Sequence, residues 1–387
     1  MAIILFDDNA HQALLPLTFT RPVADLRIGI LTIAEKWAKH LNTEYSFQTQ
    51  PYLQAKFPQR IGIDDLYING AVCPDDNLLD AISNLKTGEA LKQGELLIAA
   101  KAPIESNFEK EIAYEPFFIS LRYPEDIFSK NDIELRKDFK LLTKGRTSAE
   151  ISNTNTILGN DFFAEEGATA ECSTFNTNTG PVYLGANSSV WEGNHIRGAF
   201  ALCHNSQLKM GGKMYGATTI GPYSRVGGEI NNSVIWGYSS KGHEGFLGNS
   251  VLGEWCNIGA DSNNSNLKNN YSDVKLWDYT TQRFRKTGLQ FCGLIMADHA
   301  KCGINTMFNT GTVVGVGANV FGSGYPRNFI PDFAWGGAQG FETYSLKKMF
   351  ETEMLVYPRR ENRVFDEVEQ KIVEAVFTLT EPYRSVF

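Results

Sequence analysis

The side chains best suited to proton chemistry in this sequence are a histidine and a glutamate. His243 lies in the run KGHEG, fourteen residues after Glu229. An imidazole is largely neutral near pH 7 and can accept a proton from a nucleophile, and a nearby carboxylate can orient that nucleophile or hold the ring. The other histidines, His11, His40, His195, His204 and His299, lack these flanks and read as structural or exposed. A second set of charges lies near the N-terminus, where Asp7 and Asp8 directly follow the apolar run AIILF and Arg21 and Arg27 come soon after. The six cysteines, Cys73, Cys172, Cys203, Cys256, Cys292 and Cys302, contain no C-x-x-C pair, and reduced thiols are their simplest reading.

The stretch that must position His243 is periodic. Leu184, Val190, Ile196, Leu202, Leu208, Met214, Ile220 and Val226 stand six residues apart without a break. Six is a multiple of the strand period of two and not of the helix period of 3.6, so these side chains can form one column only on short extended segments joined by turns. Two positions earlier the side chain is mostly small (Ser188, Ser206, Gly212, Thr218, Ser224), with Asn194 and Phe200 as exceptions. The spacing resumes at Phe246, Leu252 and Ile258, and again at Met296, Cys302, Phe308, Val314 and Val320. It predicts a parallel β-helix of hexapeptides from about residue 155 to about residue 325. A polar excursion over residues 263–290 interrupts it, and Trp277, Tyr279 and Phe284 argue that this excursion packs. Beyond Gly340, Leu346, Met349, Phe350, Phe365, Val368, Ile372 and Val376 fit helical faces that cap the open end of the solenoid.

Ahead of the repeat, residues 2–6 read as a buried parallel strand and residues 28–41 as an amphipathic helix. Further strands are expected at 66–68 and 95–100, and helices at 78–85 and 128–139, together a compact α/β unit. The domains read as 1–150, 151–330 and 331–387. A net charge of -8 over 387 residues gives no basic face for nucleic acid or an acidic membrane. Neither a leader nor an apolar run of about 18 residues is read, so the expected location is cytoplasmic.

Residues 227–268, GGEINNSVIWGYSSKGHEGFLGNSVLGEWCNIGADSNNSNLK, resemble the acyltransferase half of the bifunctional N-acetylglucosamine-1-phosphate uridylyltransferase and glucosamine-1-phosphate acetyltransferase family. The later run ADHAKCGINTMFNTGTVVGVGANVFG resembles the acetyl-CoA-binding coils of that family. The resemblance implies a left-handed β-helix, a homotrimer with sites between subunits, and N-acetylation of an amino sugar phosphate by acetyl-CoA. It implies His243 as the base and Glu229 as the orienting carboxylate, with Asn231, Phe246, Asn257 and Asn266 at the substrate and Gly303, Phe321 and Gly322 at the cofactor. Asn231 stands where the family has a lysine and Phe246 where it has a tyrosine, so Lys209 or Arg225 is left to supply the missing charge.

Residues 4–26, ILFDDNAHQALLPLTFTRPVADL, resemble sugar nucleotidyltransferases through Pro16-Leu17-Thr18 and Arg21-Pro22. The glycine-rich phosphate loop of that family is replaced by Asp7 and Asp8, whose charges repel a triphosphate unless a metal intervenes. Val23 replaces a lysine, and Ala71 follows Ile68-Asn69-Gly70 where a metal-binding aspartate is expected; Asp75 and Asp76 are the nearest carboxylates. The resemblance implies nucleotide binding by Asp7, Asp8, Arg21 and Arg27, with the Lys144-Gly145-Arg146 cluster as a further phosphate candidate, and Mg²⁺ with a nucleoside triphosphate if the head catalyses; the metal ligands stay unassigned. The expected function is a sugar-nucleotide biosynthesis enzyme whose solenoid acetylates. The alternatives are uridylyl or thymidylyl transfer as the main activity, and a non-catalytic trimeric scaffold that binds nucleotide sugars.

Overall fold

The N-terminal apolar run forms β1 (Ile3–Phe6), buried along its whole length. A strand covered on both faces needs no polar alternation. The structure, a computed structural model, describes residues 3–62 and 64–384, so residue 2 of the expected strand lies outside the described residues. The sheet order is β2-β1-β3-β5-β4-β6, with β2 Tyr45–Gln48, β3 Leu66–Asn69, β4 Glu89–Gln93, β5 Leu96–Ala100 and β6 Lys110–Ala113. β1 runs parallel to β2 and β3, and β5 runs antiparallel to β3 and β4. A short helix, α1 (Ala10–Ala13), follows β1.

The helix expected from residue 28 begins five residues later, as α2 (Ile33–Leu41). Thr32 sets the start: its hydroxyl accepts from the Glu35 N–H at 3.1 Å, and the Glu35 carboxylate accepts from the Thr32 N–H at 2.7 Å. This capping box ends the helix N-terminally whatever the apolar pattern upstream. α3 (Asp76–Ser83) and α4 (Asp126–Thr143) fall where the sequence places helices. The chain divides into two compact units, one of residues up to Leu26 with Leu31–Tyr123, the other of Arg27–Ile30 with the chain from Pro124 onward. In the second unit the Ile30 N–H donates to Asp138 of α4 at 2.7 Å, and Ile30 and Leu135 pack with Phe163, Tyr183 and Ala201 of the solenoid.

The solenoid is a left-handed parallel β-helix with three faces. The first face runs from Thr156–Leu158 to Phe246–Gly248, the second from Phe162–Ala164 to Phe329–Ile330, and the third from Thr169–Ala170 to Gly340–Thr343. The six-residue series from Leu184 to Val226 points inward, but as three columns rather than one, because three hexapeptides make one coil: Leu184, Leu202 and Ile220 stack on one face, Val190, Leu208 and Val226 on another, and Ile196 and Met214 on the remaining one. Together with Leu252, Ile258, Met296, Cys302, Phe308, Val314 and Val320 they fill a single core. Phe246 departs from it. Leu247 takes the inward place opposite Ile230, while Phe246 pairs with Glu229 and is half-buried on the outside. The reason is coil length: the regular coil from Gln207 to Arg225 takes eighteen residues, but seventeen separate Glu229 from its register mate Phe246.

The corner between the second and third faces carries an aromatic ladder. Tyr223, Tyr238 and Trp255 stack at 5.3 and 4.5 Å. Tyr357, just beyond α5 (Leu346–Val356), extends the stack on Trp255 at 3.8 Å. Glu353 of α5 is fully buried; it takes the Lys301 ammonium on one oxygen and lies 3.3 Å from His299 Nδ1 with the other. α6 (Glu367–Leu379) follows with Ile372, Val373 and Val376 buried. The excursion packs, as its aromatics suggest: a hairpin of Lys275–Asp278 and Arg283–Lys286 sets Trp277 on Phe329 at 4.2 Å, and the Tyr279 hydroxyl donates to Asp332 at 2.9 Å. Among the described residues no helix is long and apolar enough to cross a membrane.

Burial alone would raise the Glu353 carboxyl, but Lys301 and His299 override it and hold it at about 2. Removing one partner of a buried pair strands the other, so Glu353→Ala is expected to cost about 3 kcal/mol in urea denaturation at pH 7. The carboxylate stabilises the fold above pH 4.5, and that contribution is lost as pH falls toward 2. The gap between wild type and Glu353→Gln should therefore narrow across that window.

Candidate functional site

The first face stacks polar side chains in register. Lys213, Glu229 and Phe246 are successive outward neighbours, as are Tyr215, Asn231 and Gly248 in the adjoining column. Neighbouring coils lie about 4.8 Å apart. The half-buried Glu229 accepts from the Tyr215 hydroxyl at 2.6 Å, and the Lys213 ammonium lies 3.9 Å from its other oxygen. Burial, then the bond to Glu229, raises the Tyr215 phenol, so it stays a donor at neutral pH. Phe246 folds across Gly248: a Cβ there would stand 2.5 Å from the Phe246 ring and 2.7 Å from the Asn266 amide. Asn266 in turn donates to Asn249 at 2.8 Å. Glu229, Asn231, Phe246 and Asn266 are thus brought onto one patch.

His243 lies at the corner that leads from the third face into the first, in the turn before Phe246. Its ring is exposed and makes no contact with a partner among the described residues. Of the two roles open to Glu229, orienting the amine or holding the imidazole, the second is not seen: Glu229 is engaged by Tyr215 and Lys213. What fixes His243 is its backbone. Lys241, 2% exposed, occupies an inward position beside Val226, and its ammonium donates to the His243 carbonyl at 2.7 Å and the Gly227 carbonyl at 3.1 Å. Burial pushes that ammonium down to about 8.

The corner of His243 continues along the prism. Ser240, Asn257, Lys301 and Asn319 are register mates, so His243, Ala260, Ile304 and Gly322 hold equivalent places. A Cβ on Gly303 would touch Phe321 at 3.4 Å, and the space beside Gly322 (φ +98°) is open. Gly303, Phe321 and Gly322 therefore share this corner with His243, Gly322 three coils further on, about 14 Å by strand spacing. Asn257 is not brought in. It is exposed on the third face beside Ser240 and Lys301, away from the face of Glu229. Nor do Lys209 and Arg225 stand in for the missing lysine: Lys209 leans 3.9 Å over Trp191, one coil further from His243, and Arg225 is exposed on the third face.

In the first unit a cleft of about 560 Å³ opens at the carboxyl end of β1, lined by Asp7, Asp8, Leu97, Ile104 and Arg122. This is where open α/β sheets bind ligands. Asp7 accepts from the Val23 N–H at 2.8 Å and from the Thr49 hydroxyl, and burial raises its carboxyl to about 6. Asp8 accepts from the Ala10 N–H and the Asn69 amide, both at 2.8 Å. Asp75 caps α3 through the Leu78 N–H. These carboxylates already serve protein donors, and among the described residues no three His, Cys, Asp or Glu side chains gather as metal ligands. Arg21 and Arg27 do not fit the phosphate role: Arg21 is buried against Asp25 at 2.9 Å, and Arg27 belongs to the second unit, where it donates to the Ile30 carbonyl. Arg146 is taken by Glu165.

Sequence reasoning missed Lys213, Tyr215 and Lys241. Sixteen residues, not eighteen, separate Lys213 from Glu229, so a count by sixes does not align them. Lys241 did leave a signal, since it lies six residues after Ile235 and six before Leu247, both inward.

Residues 3–147 match the family of sugar nucleotidyl transferases. The bifunctional protein GlmU of Methanocaldococcus jannaschii is 31% identical over 87 residues, 22% of this chain and 21% of that protein. The chain thus spans about a fifth of the length of that curated relative. Among solved structures, the UDP-N-acetylglucosamine acyltransferase of Francisella novicida aligns with a TM-score of 0.34 and 11% identity, covering 59% of this chain and 90% of that one. The UDP-N-acetylglucosamine acyltransferase of Campylobacter jejuni aligns with a TM-score of 0.30 and 13% identity, covering 62% and 84%. The chain thus joins a segment that matches sugar nucleotidyl transferases, residues 3–147, to a parallel β-helix.

The stability of the buried lysine gives a direct check. Below pH 8 the fold must bury a charged ammonium; between about 8 and 10.5 the native state sheds that proton while the unfolded chain keeps it. Wild type should therefore gain stability as pH rises through that window. Lys241→Met, which has no proton to lose, should lack that gain, so the difference in urea midpoint between wild type and variant should shift in favour of wild type from pH 8 to 10.5.

Proposed function

We propose that the solenoid transfers an acetyl group from acetyl-CoA to the amine of an amino sugar phosphate. The observation that carries this reading is the exposed, unpartnered imidazole of His243 at a corner that continues to Gly303, Phe321 and Gly322, one coil from the Glu229, Tyr215 and Lys213 cluster. The amine is a poor nucleophile while protonated and must lose a proton as it attacks the thioester carbonyl. The His243 ring takes that proton while the C–N bond forms, and returns one to the sulfur as the C–S bond breaks. Lys213 supplies a cation for the sugar phosphate, and Glu229, held by Tyr215, orients the amine. Main-chain N–H groups of the corner stabilise the charge that builds on the carbonyl oxygen. Asn257, on a different face, reaches the same ligand only across a side-by-side homotrimer, and a monomer by light scattering would rule that contribution out.

The test is a panel of amino sugars and their phosphates with acetyl-CoA, reading free thiol. His243→Ala should lower turnover by roughly 10²–10⁴-fold with the fold intact. Tyr215→Phe should act more weakly, since it frees Glu229 rather than removing it. An alanine variant as active as wild type defeats the assignment of the base, and no heat of acetyl-CoA binding would favour the scaffold reading instead.

A second reading, nucleotidyl transfer by the head, is favoured by the family match over residues 3–147 and the cleft at the end of β1. UTP or dTTP with Mg²⁺ and a sugar-1-phosphate should then release pyrophosphate. Silence with every pair removes that activity and leaves a head that only binds.

A further inference from the structure

The hairpin that interrupts the repeat is built over a cavity that neither reading uses. The cavity measures about 630 Å³ and is lined by Trp277, Phe284 and Phe329 together with Lys268, Lys275 and Arg327. That volume falls in the range of small-molecule sites. Its aromatic wall is ordered: Trp277 lies parallel to Phe329 at 4.2 Å and meets Phe284 edge-on at 5.4 Å. Phe284 remains 44% exposed, so the hairpin leaves a large ring uncovered at the mouth.

The charge around this wall has one sign. No carboxylate lines the cavity among the described residues. Among the described residues the Lys275 ammonium has no side-chain partner, and that of Lys268 reaches a neutral acceptor, the Asp273 carbonyl, at 2.8 Å. Lys275 also stands directly opposite Lys286 across the hairpin. Like charges facing each other across two strands destabilise the pair, and a bound anion would relieve that repulsion. An apolar wall with facing cations is the recognition chemistry of a planar ring that carries phosphate, because every base offers a face for stacking and a phosphate answers the cations.

We propose that this cavity binds a nucleotide, its base stacked at Phe284 and Trp277 and its phosphates against Lys275, Lys268 and Arg327. Two sources share that chemistry: the adenosine 3′,5′-bisphosphate end of an acyl donor, and the uridine diphosphate part of a nucleotide sugar. The inference does not depend on acyl transfer, because it is read as binding without turnover.

Calorimetry on the full chain with adenosine 3′,5′-bisphosphate, UDP and inorganic pyrophosphate tests it. At least one nucleotide should bind about tenfold or more tightly than pyrophosphate, as stacking of one base contributes roughly 1–3 kcal/mol. Lys275→Glu and Phe284→Ala, both at exposed positions, should each weaken that nucleotide by about tenfold while leaving the melting temperature within a degree or two. Tighter binding of the adenosine compound assigns the cavity to the acyl donor, and tighter binding of UDP assigns it to a nucleotide sugar. The proposal is overturned if pyrophosphate binds as well as both nucleotides, if neither nucleotide binds, or if both variants bind as wild type does.

Discussion

The inward stack of side chains from coil to coil is the interaction on which the rest depends. Each coil closes only if its three inward residues meet those of the coils above and below, and each buried aliphatic side chain stabilises by about 1.5–3 kcal/mol. Once Leu184, Leu202 and Ile220 are stacked in one corner of the prism, the parallel ladder sets which neighbours every outward residue has. A one-residue slip would turn the whole inward set to solvent. The outer surface therefore inherits a register far stricter than loops would provide, and polar groups placed on it meet at fixed separations.

That rigidity explains how a site can be held with few side-chain contacts. The His243 ring has no partner among the described residues, yet its backbone is pinned by an ammonium that reaches out from inside the prism. Lys241 breaks the aliphatic rule at one inward position, and its two carbonyl acceptors offset part of the cost of burying it. The shortened coils serve the same end. Dropping one or two residues between Lys213, Glu229 and Phe246 brings side chains into line that an unbroken period would have staggered.

The head shows the opposite economy. Asp7 and Asp8 sit at the carboxyl end of a parallel strand, the usual position for ligand chemistry, but their oxygens are spent on the chain itself. A carboxylate that already accepts from protein N–H and O–H groups is held in place by them, which leaves fewer of its lone pairs for a ligand. The departures from the glycine-rich pattern are therefore not isolated losses. Asp7 ties β1 to the Val23 turn, and Asp8 starts α1 while gripping Asn69.

The sequence by itself determined the class of fold and which positions point inward, because a six-residue period in apolar side chains admits few three-dimensional solutions; that these positions divide into three columns, one per face, came only with the coil. It also carried the pairing of Glu229 with a family pattern, and the presence of packed aromatics in the excursion. It did not reveal that Glu229 binds Tyr215 and Lys213 rather than His243, nor that Arg21 and Arg27 are engaged internally, since those depend on which residues become neighbours. Contacts across a coil are set by coil length, and lengths that vary from fifteen to twenty-one residues, apart from the coil that carries the excursion, are visible only once the ladder is formed. The cavity under Trp277 is of the same kind. Its rings and lysines come from segments up to about sixty residues apart, and only packing brings them to one wall.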